Sequence, residues 1–194
     1  ILYDAWSNLD QEFFDNARKI LDKKKPKEKP FVPKPHQKNA ITLAHKHFVK
    51  EKNSRGKLIF PCGSGKSLTG FWMMEKLKAN STVVAVPSLS LVKQTLEVYL
   101  KQVVAKNKNV KWLCICSDEG IGKSDDVVTY TRDLPVPCTT DPDYIKKWLK
   151  DNKNDNIIIF TTYQSGRLIA EASKSLKFTF DLGVYDEAHK TVGK

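Results

Sequence analysis

Apolar residues near the start of the chain recur at steps of three and four, with charged residues between them. This spacing predicts an amphipathic helix. Residues 22–30, which follow, are mostly charged, contain two prolines and have no apolar periodicity, which is typical of a linker. The pattern therefore predicts an N-terminal helical appendage with its charged linker, residues 1–30, and a larger domain, residues 31–194.

From Phe31 onward, short apolar or β-branched runs alternate with longer helical patterns. The predicted strands are 57–60, 82–86, 111–116, 157–161 and 182–185. The predicted helices lie near 37–50, 66–78, 89–104, 142–151 and 164–173, the fourth starting at Asp141 as N-cap with Pro142 in its first turn. This alternation predicts an α/β fold with a mostly parallel, doubly wound sheet covered on both faces. Residues 117–140 are polar and long for a connection, and we expect either a functional loop or an excursion from the sheet edge.

Composition favours a soluble protein, because 40% of the residues are hydrophobic and no apolar run approaches the roughly 18 residues of a membrane helix. The chain begins without a signal peptide, so we expect a fragment of a cytoplasmic protein. Its cysteines are expected to be reduced thiols; Cys114 and Cys116 would face the same side of a strand, where core packing is favoured over redox or metal chemistry. The net charge of +11 favours a polyanionic partner, although lysine enrichment also serves solubility.

A glycine-rich loop, residues 63–67 (GSGKS), follows a predicted strand and opens a predicted helix. This context is typical of a phosphate-binding P-loop. Backbone N–H groups and the helix N-terminus would face the phosphates, Lys66 would neutralise their charge, and the Ser67 hydroxyl would bind Mg²⁺. The first glycine of the full pattern is replaced by Phe60, and the alternative is a glycine-rich turn with an exposed lysine.

Two adjacent carboxylates, Asp186 and Glu187, end the last predicted strand. Ligands gather at the carboxyl ends of strands in α/β sheets, so these acids should lie beside the P-loop. Asp186 would hold Mg²⁺, and Glu187 would polarise the attacking water. The alternative is an acidic surface turn.

These motifs resemble those of a known protein family. Residues 186–189 (DEAH) form a DEAH box, and residues 61–67 look like the P-loop of superfamily 2 helicases, in which the first glycine is commonly absent. Residues 34–37, 84–91 and 160–165 resemble further motifs of that family in the expected order. The resemblance implies a P-loop NTPase with the first RecA-like domain of a DEAH-box helicase, and ATP and Mg²⁺ as cofactors. The chain most resembles the restriction-enzyme branch, meaning type III Res subunits, type I motor subunits and type ISP enzymes. Residues 116–118, 139–141 and 186–193 look particularly like the type ISP group.

The resemblance also implies roles for individual residues. Catalysis would depend on Lys66 and Glu187, with Gln37 contacting the adenine edge. Ser88 and Thr162 would contact the nucleic-acid backbone, and His189 would couple the ATP site to the rest of the motor. The residues implied around the nucleotide's phosphates are Cys62, Gly63, Ser64, Gly65, Lys66, Ser67 and Leu68. Simpler alternatives are a polar helix start for Gln37, helix caps for Ser88 and Thr162, and a packed turn residue for His189.

The function implied is the ATP-binding half of an ATP-dependent DNA helicase or translocase related to restriction enzymes. A second RecA-like domain, absent from this sequence, would complete the site, so we expect better binding than hydrolysis. Nuclease or methyltransferase parts are further expected partners, and a membrane is not. The alternatives are a nucleotide-gated nucleic-acid-binding module without hydrolysis, and a P-loop kinase or GTPase. The adjacent Glu187 and the lack of an NKxD-like segment oppose the kinase and GTPase alternatives.

Overall fold

The structure is a computed structural model that describes residues 29–61, 63–117, 131, 134 and 136–188. The chain divides into two units, Ile1–Pro30 and Phe31–Lys194. The predicted N-terminal helix lies outside the described residues. All elements given below belong to the second unit.

Helices and strands alternate along this unit. The helices are α1 (Pro35–His45), α2 (Lys66–Leu77), α3 (Leu89–Ala105), α4 (Pro142–Asp151) and α5 (Gly166–Leu176), with a π-helical turn (Lys46–Lys50) after α1. The strands are β1 (Ser81–Val86), β2 (Lys111–Ile115), β3 (Ile157–Thr162) and β4 (Leu182–Tyr185). The Asp141 cap is confirmed, since its Oδ1 accepts the N–H groups of Asp143 at 2.9 Å and Tyr144 at 3.4 Å.

The four strands form one sheet in the order β2-β3-β1-β4. Each neighbouring pair is parallel, which confirms the predicted topology. In this order β4, the last of the described strands, lies directly beside β1, the first of them. The carboxyl end of β4 is therefore brought next to the carboxyl end of β1.

Apolar side chains cover both faces of the sheet. One core packs α2 and α3 against residues such as Val84, Cys114 and Phe160. The other packs α4 and α5 against the opposite face, around Leu113 and Ile159. Both faces of β1 and β3 are consequently buried, as expected for near-continuous apolar runs in a parallel sheet. Cys114 and Cys116 belong to the same core, so the predicted common face is confirmed.

The predicted strand at residues 57–60 is wrong. These residues have no regular secondary structure, and the side chains of Leu58 and Ile59 are 40% and 79% exposed. A strand exists through hydrogen bonds to a neighbour. Among the strands that the structure describes, β4 lies at the edge of the sheet and none pairs with residues 57–60. Apolar sequence alone therefore does not make this segment a strand.

Smaller differences concern element ends and the long connection after β2. Helix α5 begins at Gly166 rather than at Gln164, because residues 163–165 form a turn. In the described part of the connection, Cys138 forms a parallel bridge with Cys114. The bridge places Cys138 beside β2. A functional loop and an excursion from the sheet edge both stay predictions, and residues 118–130 lie outside the described set. Within the described residues, no helix is long and apolar enough to cross a membrane.

Candidate nucleotide site

The P-loop turns through two glycines in the left-handed region. Gly63 has φ +73° and Gly65 has φ +82°, and α2 starts immediately afterwards at Lys66. The turn closes through the Ser64 hydroxyl, which donates to the Pro61 carbonyl at 2.7 Å. A Cβ at Gly65 would also come within 2.6 Å of the Gln37 amide nitrogen. Glycine is therefore required at position 65 by conformation and by space.

Gln37 on α1 holds this loop. Its side chain is 3% exposed, and its Nε2 donates to the carbonyls of Ser64 at 3.1 Å and Gly65 at 3.3 Å. Its Oε1 accepts the Lys34 N–H at 2.8 Å. In this structure the amide is thus engaged with the protein rather than free at the surface. Contact between Gln37 and adenine stays a prediction.

The two carboxylates stand at the end of β4 as predicted. The Asp186 N–H donates to the Ala85 carbonyl of β1 at 3.0 Å, which continues the sheet pairing into the acidic turn. The Glu187 N–H donates to Asp186 Oδ1 at 2.9 Å, and Glu187 adopts φ +52°. Such a conformation is uncommon for a residue with a side chain. Both acids are half-buried at the carboxyl edge of the sheet.

The P-loop and the acids meet through one ion pair. Lys66 Nζ lies 3.2 Å from Glu187 Oε1, and their side chains are 26% and 29% exposed. Two segments far apart in sequence therefore share one site, as the sheet pattern predicts. The pair also neutralises the acid nearest the loop.

Tyr163 is a residue of this site for which no role was predicted, although it lies in the segment 160–165 that resembles a family motif. Its hydroxyl donates to the Asp186 carbonyl, and its ring lies parallel to the Tyr185 ring, with centroids 6.5 Å apart. Burial, followed by the nearby charge of Asp186, raises the pKa of Tyr163 to about 12. Burial likewise raises the pKa of Tyr99, which lies beneath the site. The available signal was the position of Tyr163 directly after β3, at the same sheet edge as the acids.

The predicted nucleic-acid contacts have local partners. Ser88 caps α3 through its hydroxyl, which accepts the Leu91 N–H at 3.4 Å. Thr162 is buried, and its hydroxyl donates to the Ser165 hydroxyl at 3.2 Å. Both lie at the carboxyl edge of the sheet, but their nucleic-acid contacts stay predictions. Cys62 and His189 lie outside the described residues.

The residues present suit a nucleotide with Mg²⁺. A phosphate needs hydrogen-bond donors and positive charge. The backbone N–H groups of the loop with its positive-φ glycines, together with the start of α2 and Lys66, are suited to provide them. Ser67 follows Lys66 in the first turn of α2, and Leu68 packs against the core. The described residues contain no group of three metal-ligating side chains. Mg²⁺ is commonly held by one or two protein ligands together with phosphates and water, and Ser67 and Asp186 are the predicted ones.

Fold and motifs define the first domain of a superfamily 2 helicase, near the restriction-enzyme branch. The chain belongs to the family described as "Type III restriction enzyme, res subunit", which matches residues 30–194. Probable helicases of African swine fever virus are similar to it. The Tick/Malawi isolate's protein is 25% identical over 160 residues, and that of the Badajoz strain is 27% identical over 159. In both cases the match covers 82% of this chain and 16% of the viral protein.

Two solved structures are also similar. One is a nuclease-deletion mutant of the type ISP restriction-modification enzyme LlaGI in complex with a DNA substrate mimic, with TM-score 0.65 and 28% identity. The other is the ATP-dependent type ISP restriction-modification enzyme LlaBIII bound to DNA, with TM-score 0.61 and 29% identity. Each match covers 84% of this chain, but only 16% of the LlaGI chain and 11% of the LlaBIII chain. This chain therefore corresponds to a small part of each neighbour.

Proposed function

We propose that this chain is the ATP-binding half of an ATP-dependent DNA helicase or translocase related to restriction enzymes. The observation that carries the proposal is the 3.2 Å contact between Lys66 and Glu187, since it unites the P-loop with the acid pair. Neither motif alone distinguishes this class from other phosphate-binding proteins. Their juxtaposition at the carboxyl edge of a parallel sheet supports a nucleotide hydrolase.

The side chains divide the chemistry among themselves. Bound Mg²⁺ would supply charge neutralisation at the phosphates, with Ser67 and Asp186 as its protein ligands. Lys66 exchanges its Glu187 partner for the phosphate oxygens. Glu187 is then released to orient and polarise a water molecule. The ion pair thus keeps the hydrolytic acid occupied until a nucleotide draws Lys66 away.

The proposed polymer is DNA, and double-stranded DNA is favoured over RNA. Both similar solved structures contain DNA or its mimic, and the +11 charge of this chain suits a phosphate backbone. Ser88 and Thr162 are the proposed contacts, and His189 is the proposed coupling residue. A second RecA-like domain would close the site, and nuclease or methyltransferase parts are further proposed partners. That second domain would supply arginine fingers, which accelerate phosphoryl transfer by about 10³–10⁵. This chain alone should therefore hydrolyse ATP poorly.

Hydrolysis in the full-length protein tests the proposal. We expect DNA to stimulate phosphate release by the wild type, and Glu187→Gln to stop it while keeping ATP binding. Glu171→Gln is the matched control, because Glu171 is an exposed acid on α5 whose carboxylate lies 3.5 Å from Arg167 Nε, outside the nucleotide site. It should behave as wild type.

The alternative module without hydrolysis predicts a different result. In that case ATP would change DNA affinity in the wild type and in Glu187→Gln alike, with no phosphate release from either. That outcome would contradict the motor function but would leave the assignment of the nucleotide site in place.

A further inference from the structure

One peptide group links the two acids of the DEAH box. Its carbonyl belongs to Asp186 and accepts the Tyr163 hydroxyl. Its N–H belongs to Glu187 and donates to Asp186 Oδ1 at 2.9 Å. Rotation of this peptide would therefore break the bond that holds the Asp186 carboxylate and would change the φ of Glu187. Glu187 also has φ +52°, a conformation that a non-glycine residue keeps only where its surroundings hold it.

Tyr163 is itself firmly placed. Its backbone N–H donates to the Val86 carbonyl at the end of β1, 3.0 Å away. Asp186 is anchored one residue earlier on the same strand, through the Ala85 carbonyl. The rings of Tyr163 and Tyr185 are stacked with an interplanar angle of 6°. The backbones of Tyr163 and Asp186 are therefore both tied to the end of β1, which holds the hydroxyl and its acceptor carbonyl in register.

We propose that Tyr163 is a positioning residue whose hydroxyl fixes the peptide between Asp186 and Glu187 and thereby sets the orientation of both acids in the site. The inference rests on the proposed function, because it gives these acids their metal and water roles. Tyr163 directly follows Thr162, the proposed DNA contact. The same hydrogen bond consequently joins the segment after β3 to the hydrolytic acids.

The chemistry of the hydroxyl suits this role. A tyrosine phenol is protonated at neutral pH, so this hydroxyl is a hydrogen-bond donor to the Asp186 carbonyl. Phenylalanine would keep the ring and its stacking and would remove only the donor. Tyr163→Phe is accordingly a clean test of the bond.

Nucleotide titration provides the first readout. We compare wild type, Tyr163→Phe and the matched control Tyr185→Phe, which removes a hydroxyl from the other ring of the stack. Calorimetry with ATP in EDTA should give equal affinities for all three. With ATP and Mg²⁺, we expect Tyr163→Phe to lose about fivefold in affinity, the size of one hydrogen bond, while Tyr185→Phe remains like wild type. Thermal unfolding checks that both variants are folded.

Steady-state kinetics of the full-length protein provides the second readout. Tyr163→Phe should lower the DNA-stimulated kcat by about fivefold or more, and Tyr185→Phe should not. A purely structural role would lower the unfolding temperature and leave kcat and the Mg²⁺ effect unchanged in the folded fraction. That result would overturn the inference.

The Lys66→Ala variant distinguishes failure of the Tyr163 inference from failure of the proposed function. If wild-type binding depends on Lys66 but Tyr163→Phe matches Tyr185→Phe, the inference is wrong and the proposed function stands. If the wild type does not bind ATP with Mg²⁺, the proposed function fails, and the inference fails with it.

Discussion

The two halves of the nucleotide site are held by different means. The acid half, Asp186 and Glu187, directly follows β4, and the Asp186 N–H extends the pairing of β4 with β1. The P-loop half follows the unpaired residues 57–60 and is held by the amide of Gln37. Sheet register therefore sets the position of one half, whereas a single buried side chain and the start of α2 set the other. The P-loop half should be the more easily disturbed of the two.

The largest effect is expected at the P-loop. Lys66→Ala should lower the affinity for ATP with Mg²⁺ by about 100-fold, or about 3 kcal/mol, because the cation facing the phosphates is lost. Isothermal titration calorimetry measures this. Lys76→Ala, an exposed lysine at the far end of the same helix, is the control and should bind like wild type. Unchanged affinity in Lys66→Ala would remove the P-loop assignment.

Substitutions of the two acids should distinguish the metal-binding role of Asp186 from the water-polarising role of Glu187. Asp186→Ala should weaken Mg²⁺-dependent ATP binding by at least tenfold, since even indirect partners of a metal contribute about 10–100-fold. Glu187→Gln should largely preserve binding and stop hydrolysis in the full-length protein. Titrations with and without Mg²⁺, together with phosphate release, give both quantities. Equal loss of binding in the two variants would show that this division of roles is wrong.

Gln37→Ala tests the contrast between the halves directly. Loss of its buried amide should lower the free energy of unfolding by about 1–3 kcal/mol and weaken ATP binding severalfold. Hydrogen exchange should accelerate at the Ser64 and Thr69 amides and stay unchanged at Asp186. Gln94→Ala, an exposed position on α3, is the control. Equal acceleration at the Asp186 amide would mean that the halves are not held separately.

The smallest effect concerns residues 1–30, which carry seven basic and six acidic side chains. Nearly all of the +11 charge therefore belongs to residues 31–194, which also contain both halves of the site. Deleting residues 1–30 should leave the salt dependence of DNA binding almost unchanged, and log affinity should fall linearly with log salt in both proteins. Fluorescence anisotropy with labelled duplex and single strands measures this. A slope that disappears with the deletion would place the backbone contact outside the RecA-like domain.

The sequence predicted the acid half better than its counterpart. The apolar runs that become β1 to β4 pair in one parallel sheet, so periodicity and chain order sufficed to place Asp186 at its carboxyl edge. The run at residues 57–60 has similar apolar character, but strand formation depends on a neighbour that a local pattern does not reveal. The partners of Gln37 were equally hidden, because they are carbonyls of a loop distant in sequence.

Tyr163 illustrates the same limit. Its position after β3 was visible in the sequence, whereas its bond to the Asp186 carbonyl arises from the order β3-β1-β4. Motif matching locates charged and glycine-rich residues. Side chains that hold backbone groups require the assembled sheet to be recognised.

The most direct test of the account is the distance between Lys66 Nζ and Glu187 Oε1 in a crystal structure with a non-hydrolysable ATP analogue and Mg²⁺. The distance is 3.2 Å in this structure. We predict that it lengthens beyond about 4 Å, the limit of an ion pair, as Lys66 turns to the phosphates and Ser67 and Asp186 face the metal. An analogue bound elsewhere, or bound at the P-loop with the Lys66–Glu187 pair intact, would contradict the account.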